Sequence, residues 1–393
     1  MARRLLIVVQ EALFFTTHRL PVGRAMRQRG WTVHVAAPED PAIAARLAKE
    51  GFVFHPIPLI RSRQNPLAEL KLLLVLLGLC LRLRPDLLHL VSVKPVVWGG
   101  VAARLLRLPA VVHAVTGLGY VFIRATNGAS GLPAAKAGLL RRLLEGLYKL
   151  ALAHRNSVTI FQNPDDLVVF EDRRLISPTR AVMIRGCGVD MQTFAMQPEP
   201  VIDAGHPPVV MFPARLLGDK GVREFAAAAE ALRREGVHAR FVLVGRRDPD
   251  NKTDIGEAQL QAWIDAGTVE YWGFAEDMPA MLARAHVIVM PSYREGLPRG
   301  LIEAAAIGRA IVTTDAPGCR EVVRHEENGL LVPVGDAPAV AAAIRRLLED
   351  PALRQRLAAR GRTIAESEFS VEHFVAASLN AYERVLQMLG AHL

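Results

Sequence analysis

Short apolar runs alternate with longer amphipathic stretches along the whole chain. Leu5–Val9 opens the series, followed by Thr32–Ala36, Leu87–Val91, Ala110–Val115 and Val158–Phe161. After a break the rhythm resumes at Val209–Phe212, Phe241–Gly245, Val287–Met290 and Ala310–Thr313. Apolar runs rich in β-branched residues, separated by helical periodicity, are the signature of parallel α/β sheets. The break is MQPEPVIDAGHPP, residues 196–208, with four prolines and no periodicity, which reads as a linker. The pattern therefore predicts two doubly wound, Rossmann-like α/β domains, 1–195 and 208–370, joined by a linker over 196–207. A last helical stretch, 371–393, is expected to cross back to the first domain. Ligands of such sheets bind beyond the carboxyl ends of the strands, so a cleft between facing sheet edges is the expected site.

Composition narrows the class. The 393 residues are 51% hydrophobic and 22% charged, as in a folded globular chain of two or three domains. Three widely spaced cysteines, Cys80, Cys187 and Cys319, fit a reducing cytoplasm and lack metal-ligand spacing. In MARRLLIVVQEALFF the apolar run is interrupted by Gln10 and Glu11, so it reads as a buried strand and not as a signal peptide. The most lipid-like segment, Leu72–Leu81, has ten residues, against about 20 needed to span a bilayer. The expectation is a cytoplasmic protein, peripheral on the inner face of the membrane.

Charge is unevenly shared. Residues 1–200 carry a net +13 and residues 201–393 a net −4. A basic first half points to an anionic partner such as a phosphorylated substrate or an anionic membrane. No nucleic-acid reading motif or aromatic-interleaved basic run accompanies it. The stretch 135–155, with Leu139, Leu140, Leu143, Leu144 and Leu147 at helical spacing and Arg141, Arg142 and Lys149 beside them, fits two roles. One is a helix on an anionic leaflet or gripping a lipid pyrophosphate; the other is an ordinary core helix.

The chemistry concentrates in PSYREGLPRGLIEAAAIGRAIVTTDAPG, residues 291–318. Glu295 falls on a loop after a strand, and Glu303 falls in the helix that Pro298 is placed to open. The helix start offers free N–H groups and partial positive charge to a phosphate, and Gly296 admits a ligand close to the backbone. Carboxylates instead accept bonds from hydroxyls. The layout suits a ligand with phosphates in its middle and polyol rings at its ends, a sugar nucleotide. At an equivalent edge, VVMFPARLLGDKG supplies Arg215 and Lys220, a forked and a compact cation for two bridged phosphates. Asp248-Pro-Asp250, a metal-binding pattern on its face, lies in the polar loop RRDPDNK and reads as a solvated turn.

These motifs, with YWGFAEDM at 271–278 and DAPGCREVVRHEENGLLVPVGD at 315–336, resemble the retaining glycosyltransferases of family 4, which have the GT-B fold. The resemblance implies that Arg215 and Lys220 bind the donor diphosphate, that Glu295 meets the donor sugar and Glu303 the ribose. It also implies that Gly296, Leu297 and Pro298 line the sugar pocket and that Phe274 lies near the base. Arg215, Lys220 and Glu295 are then the catalytic set, with no metal and no cofactor. FFTTHRLPVGRAMRQRGWTVHVAAP, RPDLLHLVSVKPVVWGGVAARLL, AVTGLGYVF and FQNPDDLVVF resemble a narrower group. Its members extend sugars on undecaprenyl pyrophosphate, typically with an N-acetylhexosamine from a UDP donor. Phe14–His18 replaces the Gly-Gly loop of many members, and Thr116 stands where many have histidine. His18, His113, Arg141 and Arg142 are the acceptor-side candidates. The competing readings are a sugar-nucleotide epimerase of the same fold and a non-catalytic sugar-nucleotide sensor.

Overall fold

The computed structural model describes residues 2–60, 65–117, 134–203 and 205–393, and for 134–141 the backbone alone. The chain forms two compact units, Met1–Cys187 with Glu372–Leu393, and Gly188–Val371.

The first unit is built on a seven-stranded sheet in the order β3-β2-β1-β4-β5-β6-β7. Its strands are β1 Arg4–Val8, β2 Thr32–Ala37, β3 Val53–Pro56, β4 Leu87–Val91, β5 Val111–Val115, β6 Ser157–Phe161 and β7 Ala181–Met183. Every pairing is parallel. Strand residues alternate between two apolar layers. Leu5 and Ile7 join a layer with Val33, Val35 and Val112, and Leu6 and Val8 join one with Leu72, Leu76 and Leu79 of helix Pro66–Leu83. A strand covered on both faces needs apolar residues at every position, which is why these runs lack polar alternation. The C-terminal helix Val371–Gln387 seats Phe374, Tyr382, Val385 and Leu386 in the first of these layers. The Tyr382 hydroxyl meets His89 Nδ1 at 2.5 Å.

The second unit carries six parallel strands in the order β10-β9-β8-β11-β12-β13. They are β8 Val209–Pro213, β9 Arg240–Val244, β10 Glu270–Tyr271, β11 Val287–Met290, β12 Ala310–Thr314 and β13 Leu330–Val332. Strand order reverses between β8 and β11, the position at which sheets of this kind hold ligands.

The segment expected to be a linker is instead a strap bound to the second unit. Its prolines remove donors and leave carbonyls that need partners; two side chains meet those carbonyls and a third grips a carboxylate of the strap. Buried Arg309 donates to the carbonyls of Gln197 and Pro198, both at 2.9 Å. Arg354 grips Glu199 through two bonds of 2.6 and 3.0 Å, and His286 Nε2 lies 3.1 Å from the Pro200 carbonyl. The change of unit falls at Cys187–Gly188, several residues before the predicted 195.

Candidate functional site

Seen along the carboxyl edge of the second sheet, the residues singled out by sequence fall on adjacent loops. Phe274 follows β10, Arg215 and Lys220 follow β8, and Glu295, Gly296 and Leu297 follow β11. Pro298 does not open the helix but caps it from outside with extended backbone (φ −77°, ψ 105°); the helix is Arg299–Ile307, and Glu303 lies one turn inside it.

Two glycines bring the β8 and β11 loops together. Gly221 has φ +78°, and a Cβ there would sit 2.1 Å from the Pro291 carbonyl oxygen. Only glycine accepts that backbone and that approach. Tyr293 then donates its N–H to Asp219 (2.9 Å) and its hydroxyl to Glu224 (2.8 Å). With the loops so joined, Lys220 Nζ donates to both oxygens of Glu295, 2.6 Å to Oε2. Gly318, at φ +82°, packs where a Cβ would meet the Glu295 carbonyl oxygen at 2.5 Å, and Glu295 N–H donates to Pro317 (3.0 Å). The Glu295 backbone is thus fixed by Gly318 and Pro317, and its carboxylate by Lys220.

Glu303 accepts from Arg299 Nε at 2.6 Å, one turn earlier on the same helix, and its side chain is only 12% exposed. Burial pushes its carboxyl above the usual range, and the Arg299 guanidinium opposes that shift. On the other side of β8, Arg215 Nη1 donates to Asp248 Oδ2 at 2.6 Å. Asp248 is therefore part of an ion pair, while Pro249 and Asp250 form an exposed turn. Phe274 is half exposed, with the Arg246 guanidinium 3.7 Å above its ring centroid. Among the described residues no cluster of three or more His, Cys, Asp or Glu side chains is arranged to hold a metal ion.

Each charged member of the predicted constellation is thus paired with an opposite charge within this edge. The missed members are Asp248, Arg299 and the Tyr293–Glu224 pair. Arg299 and Glu303 stand four residues apart on a helix, a spacing that signals a pair in any sequence. Asp248 is signalled by position alone, just past a strand that neighbours β8.

In the first unit, His18 ends helix Ala12–His18, half-buried, stacked on Phe14 at 4.1 Å with Nδ1 2.7 Å from Thr17 Oγ1. His113 is corrected: it sits mid-strand in β5 with no exposed surface, and burial lowers its pKa to about 3. Strand alternation turns it into the sheet's packed face. Arg142 is exposed on helix Ala134–Leu152, while the Arg141 side chain lies outside the described residues. Of the leucine stripe on that helix, Leu144 and Leu147 pack against the core and Leu143 faces out; Leu139 and Leu140 lie outside the described side chains.

Comparison with known proteins places this architecture. Residues 207–350 match the family model "Glycosyl transferases group 1", and residues 4–163 match "Glycosyl transferase 4-like". The chain is 28% identical to N,N'-diacetylbacillosaminyl-diphospho-undecaprenol alpha-1,3-N-acetylgalactosaminyltransferase of Campylobacter jejuni, over 94% of this chain and 95% of that one. Its fold matches sucrose-phosphate synthase from Thermosynechococcus elongatus (TM-score 0.76, 20% identity, 99% of each chain). It also matches Anabaena HepE, solved in complex with UDP (TM-score 0.72, 19% identity, 97% of this chain and 99% of that one). Two parallel α/β units of this kind are the GT-B fold, and the protein is a glycosyltransferase. Both halves match glycosyltransferase family models, and a relative similar over nearly the whole chain is named for a diphospho-undecaprenol-linked sugar.

Proposed function

We propose that this glycosyltransferase moves an N-acetylhexosamine from a UDP-linked donor to a lipid-pyrophosphate-linked saccharide, with retention, in cell-surface glycan assembly. The observation that carries the reading is the gathering of an aromatic ring, two cations and two carboxylates along one sheet edge. Those groups suit the base, the diphosphate and the two polyol rings of a nucleotide sugar. The acceptor class rests on the Campylobacter jejuni relative, whose name specifies a diphospho-undecaprenol-linked sugar and an N-acetylgalactosaminyl donor group.

In this reading negative charge grows on the departing phosphate as the sugar approaches an oxocarbenium ion. Arg215 and Lys220 stabilise that charge electrostatically, which is commonly the largest catalytic contribution. Glu295, held by the Gly318 and Pro317 backbone, orients the sugar hydroxyls. Glu303 takes the ribose hydroxyls, and Phe274 offers a ring to the base. Hydroxyl donors satisfy the carboxylates when Lys220 and Arg299 turn towards the phosphates. His18 and Arg142 remain the acceptor-side candidates.

The basic first unit suits an anionic lipid surface. Helix Pro66–Leu83 presents Leu67, Leu70, Leu74 and Leu81 outward, each at least half exposed, with Lys71 and Arg82 beside them. No helix among the described residues is long and apolar enough to cross a membrane. A shallow seat on anionic headgroups satisfies both facts.

The test incubates a panel of UDP-sugars with saccharides on lipid pyrophosphate in anionic liposomes, reading products by mass and binding by flotation. Expected are an N-acetylhexosamine added to the acceptor and protein floating at low salt. Conversion of the donor without acceptor would make the enzyme an epimerase, and nucleotide binding with no release on any acceptor would make it a sensor.

A further inference from the structure

The cations of the donor edge have different partners. Lys220 is held by Glu295, which has its own work on the donor sugar. Arg215 is held by Asp248, to which the donor reading gives none.

We propose that Asp248 is a built-in counter-ion of the donor site. In the empty enzyme its carboxylate occupies the guanidinium edge of Arg215 that takes the donor diphosphate, and it reclaims that edge as the nucleoside diphosphate leaves. This rests on the donor-site reading above and adds a residue that governs how long the nucleotide stays.

Three observations carry it. First, the contact is direct, 2.6 Å from Arg215 Nη1 to Asp248 Oδ2. Second, the carboxylate is delivered by a braced loop. Asp248 N–H donates to Asp254 Oδ1 (3.0 Å), while Asp254 Oδ2 accepts from Arg247 Nη2 (2.9 Å) and Gly256 N–H (3.1 Å). That loop is in turn joined to the phosphate loop. Leu216 N–H donates to Arg246 (3.0 Å), Gly218 N–H to Thr253 (2.7 Å), and Thr253 Oγ1 to Asp219 Oδ1 (3.0 Å). Third, the pair is reachable: the Arg215 side chain is 41% and the Asp248 side chain 23% exposed.

Magnitudes fix the role. A fully buried pair would lock the site shut, whereas a half-exposed pair is worth only about a two- to fivefold equilibrium bias. A diphosphate, with more charge and more acceptor oxygens than one carboxylate, overcomes that bias through forked contacts to the guanidinium. The bias still favours departure, because an anion stands ready to neutralise Arg215 as the product goes.

The experiment measures binding of UDP and of inorganic pyrophosphate, the base-free probe, to the full-length protein at fixed ionic strength. It compares wild type, Asp248→Asn, Arg215→Ala, the double variant, and Asp250→Asn, with circular dichroism to confirm folding. Asp250→Asn makes the same charge change at an exposed position two residues away. Asp248→Asn is expected to tighten both probes roughly two- to fivefold, mainly by slowing release. It should do nothing further in the Arg215→Ala background, and Asp250→Asn should have a much smaller effect. Unchanged or weaker binding in Asp248→Asn, or equal tightening in Asp250→Asn, overturns the proposal while leaving the donor site intact. Unchanged binding of both probes in Arg215→Ala instead overturns the donor-site reading, and the proposal with it.

Discussion

In the proposed donor site, Glu303 sets function against stability in one side chain. Its folded pKa is raised, by burial first, with Arg299 acting in the opposite sense. A carboxyl whose folded pKa lies above its unfolded value favours folding while protonated and weakens it as pH rises through the folded pKa. Above that folded pKa the ionised group therefore burdens the folded state. Glu303→Gln removes that charge at nearly constant shape, and Arg299, a quarter exposed, can turn to water. The expected outcome is a melting temperature no lower than wild type with kcat/KM for the donor reduced about tenfold, the loss of one charge-assisted hydrogen bond or so. A fall in melting temperature with unchanged kcat/KM would make Glu303 purely structural. The gathering of Arg215, Lys220, Glu295 and Glu303 at one sheet edge was legible in the sequence because their spacing from strand ends and glycines is local information. Their pairings were not. Asp248 lies 33 residues beyond Arg215, and Glu295 lies 75 beyond Lys220; both contacts depend on β9 and β11 flanking β8, which no single segment specifies.

At the level of elements, the nine long apolar runs of the sequence all became interior strands, with ends shifted by a residue or so. The strands it did not reveal are β3, β7, β10 and β13, two to four residues each and all at or beside a sheet edge. Edge strands need only one neighbour and one covered face, so little apolar signal marks them. The prolines of 196–208 signalled irregular backbone correctly but not its attachment, which depends on Arg309, Arg354 and His286 more than 75 residues away. The turn between β8 and its helix gives the sharpest test at this scale. Gly221→Ala forces a side chain into left-handed backbone, at about 1–2 kcal/mol, and against the Pro291 carbonyl. Relieving that contact moves the β8 loop from the β11 loop and parts Lys220 from Glu295. Donor kcat/KM should fall further than the loss of stability, followed by urea unfolding, accounts for at the assay temperature. Stability lost with full activity would show that the loop junction does not set the site.

Across the whole molecule the histidines divide unevenly, and this predicts which unit fails first in acid. His34, His55, His89, His113 and His154 all lie in the first unit, and each has a pKa below its ordinary value, with burial the leading cause. His55, whose ring nitrogen lies 2.9 Å from that of His34, is lowered to about 4, and His113 to about 3. In the second unit His286 is lowered in the same way, but its charge is partly supported by the Pro200 carbonyl and Glu199. A histidine whose folded pKa lies below its unfolded value takes up its proton on unfolding. Its contribution is whole above the unfolded value near 6.5 and drains away as pH falls towards the folded one, about 1.4 kcal/mol for each unit of difference. Scanning calorimetry from pH 7.5 to 5 should therefore show the transition of the first unit moving down faster than that of the second. His113→Leu isolates one contribution, because neither ring nitrogen has a hydrogen-bond partner among the described residues and the site is wholly buried. An apolar side chain of similar size should flatten the acid slope of the first transition and leave glycosyl transfer unchanged. An unaltered slope would mean that the acid sensitivity arises elsewhere, and lost transfer with intact folding would return His113 to the acceptor side.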